Sequence, residues 1–147
     1  MSILARLFTG RPQIDPGRCA IVIGDGQFQT YVASTPQQRS ELERLCDGRT
    51  ENAYRFPVLL VPQPSSPRGR DAVAVRKGET TIAYLHHTTA VEFMSALRAN
   101  EFERAACAAT IIARPDPQLG KTVFSLRLDT EVPFKLMTPS DKLPPGV

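Results

Sequence analysis

Apolar and β-branched residues recur along this chain in short runs, most of them bounded by glycine or proline, which is typical of β-strands. The last run is the most regular, because Phe124, Leu126 and Leu128 alternate with polar residues and predict one buried face. Pro57 interrupts the second run and predicts an edge or a bulge at that point. The six predicted strands occupy residues 19–23, 54–61, 72–75, 80–85, 107–113 and 123–129, with further extended chain at 28–32, turns at 24–26 and 76–79, and a loop at 62–70.

Two segments have helical spacing instead. Thr35, Pro36 and Gln38 are typical of a helix start, with a threonine cap, a proline in the first helical position and a glutamine that can complete a capping box. Thr89, with Glu92 three residues later, predicts a second capping box. The apolar face that follows is assigned to the core rather than to a ligand site, and it consists of Ala90, Phe93, Met94, Leu97 and Phe102.

The order of these elements predicts the fold class. About six strands and two short helices indicate a mainly β (α+β) domain, a small OB-like six-stranded β-barrel with the helices at its ends. Strands and helices do not alternate strictly, which disfavours a doubly wound parallel sheet. We predict an irregular N-terminal lead-in at residues 1–17, the barrel domain at 18–132 and a proline-rich C-terminal tail at 133–147.

Composition narrows the class of protein. The 147 residues have the length of one domain. Their formal net charge of +3 permits a polyanionic partner. Of the 18 positive side chains, 14 are arginine. The three cysteines form no CxxC pair, so we expect reduced thiols rather than a disulfide framework or a zinc site. No apolar run approaches about 18 residues, and Arg6 interrupts the apolar start. We therefore expect a cytoplasmic protein without a membrane partner.

The motifs of common catalytic sites are incomplete. Gly120 and Lys121 suggest a phosphate-binding loop, but Pro115 occupies the place of its first glycine. His86 and His87 are adjacent, so on an extended segment their side chains point to opposite faces and cannot bind one metal ion together. We predict that the protein is not an enzyme and needs no cofactor or metal.

A basic cluster is the strongest remaining signal. Its positive side chains fall within ten residues, and Tyr84 and His86 lie on the adjoining strand and its exit. Arginine and lysine can follow phosphates while flat rings stack on bases. The cluster can equally be a solvated hairpin, and Tyr84 shares one face of a regular strand with Ile82, which favours a core role for its ring. The positive residues are Arg68, Arg70, Arg76 and Lys77.

These residues and their surroundings resemble the HIRAN domain family. The similarity is carried by residues 21–24 followed by Phe28, by residues 66–75, and by residues 82–85 with Ala90, and it extends over about residues 18–130. HIRAN domains are small OB-like barrels with two helices, found fused to helicases and nucleases or as free-standing bacterial proteins. The resemblance implies binding of single-stranded DNA at its 3′ end.

The chain departs from the family pattern where the DNA end would bind. Arg68 stands in place of a tyrosine and Gly69 in place of an aspartate, while Asp71 and Ala83 replace an asparagine and a glycine. These changes either shift recognition toward phosphate or remove the pocket.

The sequence therefore predicts a non-catalytic module that binds single-stranded nucleic acid, DNA in particular, with its ends as one target. The alternative is a protein-interaction module that docks on a repair, replication or mobile-element protein through an edge near Pro57 or through the proline-rich tail. The residues predicted to contact nucleic acid are Phe28, Arg68, Arg70, Arg76, Lys77, Tyr84 and His86.

Overall fold

The computed structural model describes residues 19–46, 55–131 and 133–138. Neither of the helices in these ranges is both long enough and apolar enough to cross a membrane. The elements of this part of the chain are β1 (Cys19–Val22), β2 (Thr30–Ala33), α1 (Pro36–Cys46), β3 (Arg55–Pro62), β4 (Val73–Lys77), β5 (Thr80–Leu85), α2 (His87–Ala99), β6 (Arg104–Asp116), β7 (Lys121–Leu128) and β8 (Leu136–Met137).

Six of these strands close into an antiparallel barrel. Their order is β3–β4–β5–β2–β7–β6, and a direct pairing between β3 and β6 completes the circle. Closure leaves the barrel without a long open edge. The predicted fold class, a mainly β, OB-like six-stranded barrel with two short helices, is confirmed.

The long strand β6 pairs with three neighbouring strands. Its first residues pair with β1 in parallel, its middle pairs with β3, and its last eight residues pair with β7. On the far side of β1 lies the short antiparallel strand β8. These two additional strands extend the sheet beyond the barrel.

Helix α1 begins with the predicted capping box. The Gln38 N–H donates to Thr35 Oγ1 at 3.1 Å, and the Thr35 N–H donates to Gln38 Oε1 at 2.9 Å. The second predicted capping box is wrong. Helix α2 begins at His87, directly after β5, with His86 in the cap position and without a side-chain cap hydrogen bond, so that Thr89 lies inside the first turn.

Helix α2 buries the predicted apolar face on the core. Phe93 and Leu97 are buried, and the Phe93 ring meets the edge of the Phe134 ring with centroids 5.4 Å apart and planes at 68°. Leu136 and Met137 form β8 beside β1. Residues 133–138, which the sequence analysis assigns to the tail, thus pack against the domain, and residues 139–147 lie outside the described residues.

A bulge in the β4–β5 hairpin decides the direction of Tyr84. The register shifts between Val75 and Arg76, so the partner strand gains one unpaired residue. Ile82 and Ala83, although adjacent in sequence, therefore both belong to the core, and Tyr84 lies half-buried on the outside of the barrel. The expectation that Ile82 and Tyr84 share a face is wrong because it assumed a regular strand.

Pro57 occupies a locally one-sided part of β3. The strand pairs with β6 over Arg55–Leu60, whereas the pairs with β4 begin only at Leu59. A residue without an N–H is tolerated where one side of the strand has no ladder. Strand β3 as a whole has a paired strand on each side, β4 and β6, so the edge predicted at Pro57 is only a few residues long.

The three thiols should be inert in the folded protein. Cys19, Cys46 and Cys107 are all buried as reduced thiols. Burial raises the pKa of the Cys107 thiol far above its usual value, and the negative charge of Asp129 raises it further, so this thiol stays neutral. We expect no fast reaction of the native protein with a disulfide reagent at about pH 8, and reaction of all three thiols in denaturant. A rapidly modified native thiol would contradict this burial.

Candidate nucleic-acid interface

The loop between β3 and β4 is a succession of turns that closes on its own base. The Gln63 N–H donates to the Ala72 carbonyl at 2.8 Å and joins the two ends of the loop. Inside it, Ser66 N–H donates to the Gln63 carbonyl and Gly69 N–H to the Ser66 carbonyl, each at 3.0 Å. Gly69 has a φ of +119°, a conformation that favours glycine. This internal bonding fixes the backbone that carries Arg68.

Arg68 lies over the ring of Tyr84. Its Cζ is 4.7 Å from the ring centroid, and the side chain is exposed. The Tyr84 hydroxyl donates to Gln63 Oε1 at 3.1 Å, which ties the ring to the base of the same loop. A cation–π contact at an exposed site contributes about 0.5–1 kcal/mol, which favours this position of the guanidinium by about two- to fivefold before any ligand arrives. Such a group can offer N–H donors to phosphate and a flat surface to a base.

Arg70 and Arg68 both line a small pocket. The pocket has a volume of about 110 Å³ and lies at the N-terminal end of α2, where the helix dipole favours negative charge. Asp71 is the one carboxylate on its wall. His86 is exposed next to this helix end. The structure thus brings three of the seven predicted residues together, namely Arg68, Arg70 and Tyr84, and the histidine that lines the pocket is His87 rather than the predicted His86.

Arg76 and Lys77 lie at the other end of β4. The strand extends over five residues from Val73, so the two side chains are separated from the loop by about 10–13 Å of strand. Arg76 Nη2 donates to the Glu79 carbonyl at 3.2 Å within the hairpin. The Lys77 Nζ lies 5.6 Å from the centroid of the Phe56 ring. Proximity in sequence therefore overstated how closely these two residues approach Arg68.

Phe28 is buried, with only 5 % of its surface exposed. It packs in a satellite cluster outside the barrel, on Ala106 and Ala108 of β6, and its backbone has a positive φ of 51° rather than the predicted extended conformation. Arg55 lies over the ring, with its Cζ 4.6 Å from the centroid. A base can therefore meet the Arg55 guanidinium here, but it meets the Phe28 ring only if Arg55 moves away.

One further arginine–aromatic pair was missed by the sequence analysis. Arg127 of β7 has its Cζ 4.5 Å from the centroid of the Tyr31 ring on β2. The two residues are directly opposite each other in the β2–β7 ladder. The alternation of β7 placed Arg127 on the outside, but nothing local in the sequence identifies Tyr31 as its neighbour.

These arginines have no carboxylate partner among the described residues. None of the ion pairs between described residues involves Arg55, Arg68 or Arg127. The same part of the chain contains no group of three histidine, cysteine or acidic side chains that could hold a metal ion. The chemistry that this surface offers is the binding of anionic and flat groups.

No protein-family model, curated protein or solved structure matches this chain. The similarity to the HIRAN family therefore depends on the residues quoted above and stays a prediction.

Proposed function

We propose that this protein is a non-catalytic module that binds single-stranded DNA on the outer face of its barrel, at the loop between β3 and β4. The observation that carries the proposal is the Arg68–Tyr84 pair, an exposed guanidinium held over a half-buried ring by an internally bonded loop. Divergent HIRAN domains would use this same region for a DNA end, and that resemblance supports the proposal.

The proposed contacts divide by chemistry. Arg68 stacks on a base, while its N–H groups and those of Arg70 reach the adjoining phosphates. The pocket next to Arg70 accepts a phosphate at the N-terminal end of α2, where the dipole adds to the positive charge. Arg76 and Lys77 act only on a strand that extends along β4 to the hairpin.

A salt-titrated binding measurement tests this function. Fluorescence anisotropy with a labelled oligothymidine should show affinity that falls with salt, with a logarithmic slope of about −0.7 for each phosphate contacted. Three matched oligonucleotides, with a free 3′ hydroxyl, with a 3′ phosphate and circular, then report whether the pocket binds an end or an internal phosphate. A duplex of the same length is the control, because its bases are not free to stack.

The proposal fails if no binding is detected at low salt or if the affinity is independent of salt. A protein partner that co-purifies in stoichiometric amount and survives nuclease treatment would then favour the protein-interaction alternative. Equal affinity for the linear and circular oligonucleotides would retain strand binding and exclude recognition of the end.

A further inference from the structure

We propose that the bound strand continues from Tyr84 around the barrel to a second stacking position formed by Tyr31 and Arg127. This inference rests on the proposed function, because it extends the same binding surface. It identifies the ligand as a single strand several nucleotides long rather than a terminal nucleotide alone.

The strand register places the two stacking positions side by side. Tyr84 is paired with Ala33 in the β5–β2 ladder, and Tyr31 is two residues from Ala33 on the same face of β2. Diagonal neighbours of this kind are about 7–8 Å apart, within the reach of aromatic side chains. The two rings therefore lie on one continuous outer face.

The same face continues beyond Arg127 to a third guanidinium. Arg127 is opposite Thr110 in the β7–β6 ladder, and Thr110 is opposite Arg55 in the β6–β3 ladder. Tyr31, Arg127, Thr110 and Arg55 thus form one row across four neighbouring strands. From β5 to β3 the path crosses four strand spacings of about 4.8 Å, or about 19 Å, which roughly six stacked nucleotides would span at about 3.4 Å each.

The Tyr31 ring is unusually open for a strand position, whereas Arg127 beside it is half-buried. Tyr31 is 56 % exposed, the second-highest exposure among the large apolar side chains of the described residues. Arg127 Nε is buried without a hydrogen-bond partner among those residues, so contact with the ring rather than a carboxylate holds the guanidinium. The neighbouring acid, Asp129, is turned away, because its Oδ1 accepts the Gly26 N–H at 2.8 Å.

These features favour a single-stranded ligand. Stacking on aromatic and guanidinium planes requires unpaired bases with accessible faces, which a duplex does not offer. Phosphates between the stacked bases would neutralise Arg127 and Arg55 in turn. A pair that served only the sheet would stabilise the fold by about 0.2–1 kcal/mol and leave the affinity for DNA unchanged.

The test compares oligothymidines of about 2 and about 12 nucleotides on the wild type and on Tyr31→Ala, because two nucleotides span only about 3.4 Å and cannot reach from Tyr84 to Tyr31. Loss of one stacking contact, worth about 1–3 kcal/mol, should weaken binding of the longer oligomer by about 5- to 150-fold. The shorter oligomer can occupy the intact Arg68–Tyr84 pair, so its affinity should change by less than about twofold. Tyr31→Phe keeps the ring and should bind both oligomers as the wild type does.

Arg127→Lys separates stacking from charge, because lysine keeps the positive charge but lacks the planar group. It should weaken the longer oligomer while leaving the salt slope nearly unchanged. Oligouridines of the same two lengths show whether the path distinguishes DNA from RNA. Thermal unfolding of every variant verifies that the barrel is intact.

The outcomes separate the two proposals. If the wild type binds both oligomers and Tyr31→Ala binds the longer one equally well, the second stacking position is refuted and the proposed function stands. An equal loss for both lengths would also refute it, since Tyr31 would then belong to the first position. If the wild type binds no oligomer, both proposals fall.

Discussion

The double variant Arg68→Glu/Arg70→Glu is expected to bind single-stranded DNA at least about 100-fold more weakly than the wild type. Each hydrogen bond to a charged group contributes about 1.5–3 kcal/mol, and the variant replaces two such donors with groups that repel phosphate. The salt slope should also become shallower by about 1.4, which corresponds to two lost contacts. Both side chains are exposed, so the free energy of unfolding should fall by no more than about 0.5–1 kcal/mol, the contribution of the lost Arg68–Tyr84 contact.

The matched control reverses two charges elsewhere. Arg98 near the end of α2 and Lys121 at the start of β7 are exposed, and their replacement by glutamate lowers the formal net charge of +3 by the same four units. If binding reflects only the net charge, the two variants will lose affinity equally, and the proposed site is wrong. A loss confined to Arg68→Glu/Arg70→Glu, measured by anisotropy at matched salt, supports local contact.

The substitution Phe93→Ala is expected to lower the free energy of unfolding by about 3–5 kcal/mol. Phe93 is fully buried beneath α2, and its removal leaves a cavity and eliminates the edge contact with Phe134. A loss of this size is a large part of the 5–15 kcal/mol that holds a typical domain together. Denaturant unfolding monitored by circular dichroism measures it, and the melting temperature should fall by roughly 6–20 °C.

Val91→Ala is the control on the same helix, because Val91 is 43 % exposed and its truncation should alter stability by less than about 0.5 kcal/mol. If Phe93→Ala were as stable as this control, α2 would not anchor the core as the structure indicates. Helix α2 also forms one wall of the pocket at Arg70. This wall stays in place while the Phe93 variant is folded, so its affinity for DNA should fall only at temperatures where it begins to unfold.

Local patterns in the sequence predicted the elements well, since their determinants lie within a few residues. Thr35 and Gln38 formed the expected capping box, and the β4–β5 hairpin and the alternation of β7 were confirmed. Local patterns did not predict the pairing of β1 with β6, because it brings together residues as far apart in the sequence as Cys19 and Arg104. The bulge beside Arg76 was missed as well, because no turn or proline in that strand indicates it.

The candidate site was predicted only in part, because some of its contacts join residues that are far apart in the sequence. Arg68 and Tyr84 come together because the loop that carries Arg68 leads into β4, the hairpin neighbour of β5, and the sequence indicates this hairpin. Tyr31 and Arg127 are as close to each other, but the contact depends on the β2–β7 ladder, which brings distant segments together. The burial of Phe28 beneath Arg55 likewise depends on β6, whose alanines leave room for the ring.

The late position of β6 in the sequence affects how the chain folds during synthesis. While a ribosome is still producing α2, neither β1 nor the first half of β3 has the neighbour that completes it, because both wait for residues 104–110. Closure of the barrel is therefore a late step in folding. It depends on contacts between residues far apart in the sequence, which slows folding. Until then the apolar side chains of both strands stay accessible to other nascent chains, and this interval is when the protein is most exposed to misassembly.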